Sequence, residues 1–206
     1  MAKFHLLLTC CALLLSLNWR RSCALPLAAP SADGAQCAAL FRSLLLNITD
    51  LLTTMTTEER YKQLLTSNEV SIPSAETEQA CAPAQNSSCV RQKDSAFSES
   101  DCRRSITKDL AYYDTAIQSY LESQLHRPDE EDALLRPTLT VVKELRKSCS
   151  TTANGEEDST EEAADMWKND SFTNRQKMCK MMRGFYVRAI TINRAMGYIS
   201  SGDHRK

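Results

Sequence analysis

The cysteines are the residues of this chain best equipped for chemistry. A thiolate can ligate zinc, act as a nucleophile or oxidise to a disulfide, and spacing and compartment decide among the three. Of nine cysteines, Cys10, Cys11 and Cys23 fall in an N-terminal leader described below. That leaves Cys37, Cys81, Cys89, Cys102, Cys149 and Cys179. No two of these show the close ligand spacing of a zinc site, and only His126 and His204 follow the leader, so no metal site is expected. An even count in an oxidising compartment reads as disulfides. Other chemistry is hard to find: there is no GxSxG elbow, no HExxH, no phosphate loop, and five glycines in all. His126 lies close to the helix-breaking Pro128, and Glu130 with Glu131 reads as helix-start charge rather than an acid/base couple. No catalytic residue and no cofactor is expected, and the chain does not read as an enzyme.

The leader is residues 1–24, read as a signal peptide. Lys3 supplies a basic start, Leu6 to Leu17 an apolar run of twelve, and Ser22 to Ala24 the small residues before a cut. Twelve residues are too few to span a bilayer, and no other run approaches eighteen, so no membrane insertion is expected after cleavage. The remaining residues, 25–206, are enough for one domain with a core. Removing Lys3, Arg20 and Arg21 from the 25 basic residues, and nothing from the 26 acidic ones, leaves a formal charge of −4. That balance argues against nucleic acid as a partner. Three N-glycosylation sequons, at Asn47, Asn86 and Asn169, fit the same secreted, extracellular setting.

Four segments carry helical periodicity, at about 38–57, 103–126, 130–148 and 174–200, and no alternating strand pattern competes with them. In the first, Phe41, Leu44, Ile48, Leu51 and Met55 recur at steps of three and four, with Asn47 on the opposite side. The second repeats the rhythm in Ile106, Leu110, Tyr113, Ile117 and Tyr120, and Pro128 with Asp129 to Glu131 ends it and starts the third. Pro137 inside the third predicts a kink or a late start. The stretch from Glu58 to Asp101 is rich in Ser, Thr, Gln and Pro, and residues 150–172 are acidic and read as a mobile linker. Long, short, long is the connection pattern of an up-up-down-down four-helix bundle with two crossovers, an all-α fold.

The fourth segment poses a puzzle of charge. Met178, Met182, Phe185, Ala189, Ile192, Met196 and Ile199 form an unbroken core row, yet Arg183, Arg188 and Arg194 accompany it. Gly184 and Gly197 interrupt it, each at a cost of about 1 kcal/mol relative to alanine. At about 100° per residue from Phe185, Arg183 and Arg194 fall at about 160° and 180°, directly opposite the core. Val187, Ile190 and Tyr198 share that outer side, and Gly197 would let a partner's backbone come close. Aromatic, aliphatic and arginine residues mixed in this way compose a protein–protein hot spot, the alternative being a central helix covered by a long loop. Arg188, at about −60°, borders the core and should pair with an acid on a neighbouring helix.

The stretch "FYVRAITINRAMGYI" resembles the last helix of the interleukin-12 alpha subunit family, which reads roughly Phe-x-x-Arg-Ala-x-Thr-Ile-x-Arg-x-Met-x-Tyr. Phe185, Arg188, Ala189, Thr191, Ile192, Arg194, Met196 and Tyr198 match. Supporting matches are Ile106, Asp109, Leu110 and Tyr113 in the second helix and Glu144-Leu145 in the third. The resemblance implies a four-helix cytokine, inactive alone and secreted with a receptor-like beta subunit. An arginine of the last helix, here Arg194, would enter an acidic pocket on that subunit. The heterodimer would signal through cell-surface cytokine receptor chains on T and natural killer cells, inducing interferon-gamma. The resemblance also implies the disulfides Cys37–Cys89 and Cys81–Cys102. It leaves Cys179 without its usual partner and Cys149 as an extra, open to bonding each other or the beta subunit. Two other readings remain: a stand-alone interleukin-6-like cytokine, which would carry a polar outer face on helix four, and a disulfide-stapled helical lipid carrier of the saposin kind.

Overall fold

The computed structural model describes residues 32–65, 69–82, 97–149 and 157–201; the leader, Asn86 and Cys89 lie outside them. Every regular element among the described residues is helical: α1 (Ala32–Thr57), α2 (Glu59–Lys62) leading into a 3₁₀ turn (Gln63–Leu65), α3 (Glu76–Cys81), α4 (Glu99–Glu122), α5 (Pro128–Cys149), α6 (Glu157–Ala164) and α7 (Ser171–Ser201).

The long helices α1, α4, α5 and α7 build the bundle, and their cross-links fix its topology. The start of α1 meets the end of α5 at Cys37 and Cys149, and Asn47 further along α1 reaches the Pro137 carbonyl near the middle of α5. Phe41 of α1 meets Asn193 near the end of α7, and the Arg175 guanidinium at the start of α7 faces the Tyr61 ring just beyond α1. On α4, Asp114 pairs with Arg146, and Tyr120 with Glu131, so α4 and α5 are antiparallel. Tyr113 stacks on Phe185 and Leu125 meets Ser171, so α4 and α7 are antiparallel too. Hence α1 and α4 run one way and α5 and α7 the other: up-up-down-down, with antiparallel neighbours throughout.

The core follows the expected rows. Phe41, Leu44, Ile48, Leu51 and Met55 of α1 are buried, as are Leu110, Tyr113, Ile117 and Tyr120 of α4. The Tyr113 and Phe185 rings stack at a centroid distance of 3.7 Å, a contact that contributes about 1 kcal/mol beyond its buried area. By length and composition the stretch Gly34–Thr57 is apolar enough to cross a membrane, but it is α1, and its apolar row packs into the bundle.

Helix starts lie earlier than the periodicity implies, because caps rather than apolar rows set them. The Ser98 hydroxyl accepts from the Asp101 backbone N–H at 3.2 Å and begins α4 at Glu99. Asp170 accepts from the Thr173 N–H at 3.0 Å and begins α7 at Ser171. Pro128 is itself the first residue of α5, where its missing N–H costs nothing, and the helix continues through Pro137.

The acidic connection before α7 is not a bare linker. Within it α6 forms, Ala163 is buried, and the Trp167 indole donates to the Ala116 carbonyl at 2.9 Å while its ring sits edge-on to Tyr120. The apolar residues Ala163, Met166 and Trp167 dock this loop on α4, which the segment's overall acidity obscured. Glu131 is likewise more than helix-start charge. It is buried, holds Arg175 at 2.8 Å and accepts from the Tyr120 hydroxyl at 2.9 Å, tying α4, α5 and α7 together at one end of the bundle.

The cysteines correct the pairing implied by resemblance. Cys37 is bonded to Cys149, with alpha carbons 5.7 Å apart, and not to Cys89. In this topology the start of α1 and the end of α5 share one end of the bundle, so the geometry suits a disulfide. Cys81 is bonded to Cys102 and pins α3 to α4. Cys179 does not bond Cys149: it is a buried thiol, its pKa pushed up to about 12 chiefly by desolvation.

Candidate functional site: the outer face of the last helix

The third arginine of the puzzle, Arg188, is structural. It is buried, with Nε 3.1 Å from Oδ2 of Asp109 on α4, though without the alignment of a hydrogen bond, and it donates to the Ser74 carbonyl of the first crossover. The Thr77 hydroxyl donates to the same Asp109 oxygen at 2.6 Å. Burial pushes the Asp109 carboxyl up to about 6, against the opposing pull of the Thr77 hydroxyl and the Arg188 charge. One buried carboxylate thus gathers α4, α7 and the crossover.

That crossover covers part of the face expected to be open. Residues 69–74 run across α7: the Ser71 N–H donates to the Lys180 carbonyl at 3.0 Å, and Lys180 pairs with Glu69. Gly184 lies directly beneath. A Cβ placed there would stand 1.9 Å from the Ser71 carbonyl oxygen, so this glycine serves the protein's own chain rather than a partner. A Cβ on Gly197 meets nothing within 4 Å.

The five outer-face residues therefore divide. Arg194 and Val187 are exposed, Val187 at 45%. Arg183 and Ile190 are half-buried. Tyr198 is half-buried as well, its ring edge-on to Phe97 at 5.2 Å, so part of its surface is already used within the chain. Taken with Gly197, these residues still form one outward stripe along α7 from Arg183 to Tyr198. Beside it Ala38, Arg42, Asn193, Arg194, Met196, Gly197 and Ser200 line a cleft of about 310 Å³ between the end of α7 and the start of α1. Its floor is fixed by Asn193, whose Nδ2 donates to the Phe41 carbonyl at 2.9 Å.

Of the sequons, Asn169 is exposed, just before the Asp170 cap. Asn47 is not on open surface: it is half-buried in the seam with α5 and donates to the Pro137 carbonyl at 3.3 Å. A glycan there would require that contact to open.

A family model described as the interleukin-12 alpha subunit matches residues 4–202. The chain belongs to the interleukin-12 alpha subunit family. That family is one of cytokine subunits, not enzymes. Among curated relatives, the interleukin-12 subunit alpha of Capra hircus is 29% identical over 100 residues, covering 48% of this chain and 43% of its own. That of Rattus norvegicus is 30% identical over 117 residues, covering 55% and 51%. That of Canis lupus familiaris is 25% identical over 211 residues, covering 90% of each. In the first two alignments the chain spans about half the length of the relative. No solved structure matches.

Proposed function

We propose that this chain is a secreted cytokine subunit that acts by binding, pairing through the outer stripe of α7 with a receptor-like beta subunit of the interleukin-12 type. The heterodimer would then engage cell-surface cytokine receptor chains on lymphocytes. The observation that carries this reading is Arg194. It is exposed on the stripe, makes no ion pair with any described residue, and is the last-helix arginine to which the resemblance assigns partner binding. A guanidinium presented from a rigid helix suits an acidic pocket, because its fork satisfies a carboxylate bidentately and is weakly hydrated. Val187 and the open half of Ile190 supply the apolar surround that excludes water from such a contact.

The test is secretion of this chain alone and together with an interleukin-12-type beta subunit. Poor or heterogeneous secretion alone, rescued by co-expression with recovery of a one-to-one complex, is the expected result. Efficient secretion as an active monomer, indifferent to the beta subunit, would replace this reading with a stand-alone cytokine.

A further inference from the structure

The cleft beside Arg194 holds a second cation that the last-helix motif does not include. Arg42 of α1 lines the same cleft, is exposed, and likewise makes no ion pair with any described residue. Its placement is fixed rather than incidental. Phe41 and Asn193 are joined across the two helices by the 2.9 Å hydrogen bond, and Arg42 and Arg194 are the residues that immediately follow them. Five residues before Arg42, the Cys37–Cys149 disulfide anchors the start of α1 to the end of α5. Two guanidinium groups are therefore carried on two cross-braced helices, at the mouth of one cleft, with no carboxylate among the described lining residues.

We propose that Arg42 and Arg194 form a two-point cationic clamp, and that its ligand is an acidic segment of the partner protein bringing two carboxylates, one to each arginine. This rests on the reading of Arg194 given above and extends the interface from α7 onto the start of α1. Like charges sharing a cleft repel each other in the free chain, and an anionic ligand turns that repulsion into attraction. An extended polyanion such as heparin is a poorer match. Such ligands want a broad basic surface, whereas the chain beyond its leader is acidic overall and two arginines are the cations among the cleft's described residues. Gly197 on the cleft's rim, where an added Cβ would meet nothing within 4 Å, leaves room for backbone to approach.

The experiment measures affinity of the full secreted chain for an interleukin-12-type beta subunit, at low and physiological salt, for wild type, Arg42→Gln, Arg194→Ala and the double variant. Retention of the Cys37–Cys149 linkage and of the melting temperature serves as the folding control. Arg42→Gln should weaken binding about tenfold, largely through a slower on-rate, and reduce its salt dependence. The double variant should lose less than the product of the two single losses, as expected of residues engaging one acidic segment. Weakened binding by Arg194→Ala with Arg42→Gln unchanged overturns the clamp and leaves the proposed pairing standing. No loss for either variant overturns both. A loss for Arg42→Gln that comes with a lowered melting temperature and no change in salt dependence assigns it a structural role and also overturns the clamp. So does heparin binding that depends on Arg42 while beta-subunit binding does not.

Discussion

The same substitution at two positions of α7 should act with opposite signs. Glycine to alanine in a helix interior is stabilising by up to about 1 kcal/mol, because alanine has less backbone freedom to lose. Gly197 should show that gain in full or in part, since an added Cβ meets nothing within 4 Å. Gly184 should not. There the Cβ would stand 1.9 Å from the Ser71 carbonyl oxygen and 2.7 Å from its carbon, and backbone atoms cannot swing aside as a side-chain tip can. Either α7 and the crossover move apart or the strap detaches. Overpacking of this sort costs about 1–3 kcal/mol. Losing the hydrogen bond from the Ser71 N–H to the Lys180 carbonyl adds about 1 kcal/mol. Offset by the propensity gain, Gly184→Ala should destabilise by about 1–3 kcal/mol, a fall of several degrees in melting temperature for a domain of this size. Gly197→Ala should rise by a few degrees or hold. Denaturant titration of both variants checks the free energies, and a lowered m-value for Gly184→Ala would report the loosened strap. If Gly184→Ala is stabilised as much as Gly197→Ala, the crossover does not lie on α7, and the division of the outer face into covered and open parts is wrong.

Two further expectations follow from the same contacts. Replacing Cys37 or Cys149 with serine removes a cross-link between residues 112 apart, which the chain-entropy account values at about 4–5 kcal/mol; calorimetry should show a large drop in melting temperature, and peptide mapping of the oxidised wild type should recover Cys37 joined to Cys149. Asp109 should give stability a pH dependence unlike that of an ordinary paired carboxylate. Its folded value of about 6 lies above the ordinary carboxylate value of 3.8, so the folded state holds the proton longer. This group's contribution is therefore largest below about pH 4, is lost as pH rises toward 6, and is flat above that, with a slope of at most about 1.4 kcal/mol per pH unit. Asp109→Asn, neutral at every pH, should lack that component; an identical slope in both proteins between pH 4 and 6 would refute the assignment.

The bundle was legible because amphipathic rows are a local property. Met178 through Ile199 lie on one face whatever they pack against, and Arg188's angle at the edge of that row foretold its acid partner on a neighbouring helix. What escaped depends on contacts between residues far apart in the chain. Nothing near Gly184 announces that Ser71 crosses it, and Tyr198 looked free because its cover, Phe97, belongs to a segment without periodicity. Glu131 and Arg175, 44 residues apart, give no sign of meeting. Trp167 did leave a signal: an aromatic residue two positions after Asp165 in an acidic loop, preceded by Ala163 and Met166, is a docking point that average composition hides. The resemblance gives Cys81–Cys102 as found but not the partner of Cys37, because the antiparallel topology of the first and third helices places Cys149 beside Cys37.

Arg194 bears the weight of the functional account, and one measurement tests it most directly: the affinity of Arg194→Ala for an interleukin-12-type beta subunit, compared with wild type at physiological salt. A central hot-spot arginine costs at least about 2 kcal/mol on truncation, so the dissociation constant should rise about thirtyfold or more while the melting temperature stays within a few degrees. An unchanged dissociation constant in a folded variant would contradict the account and move the binding surface off the last helix.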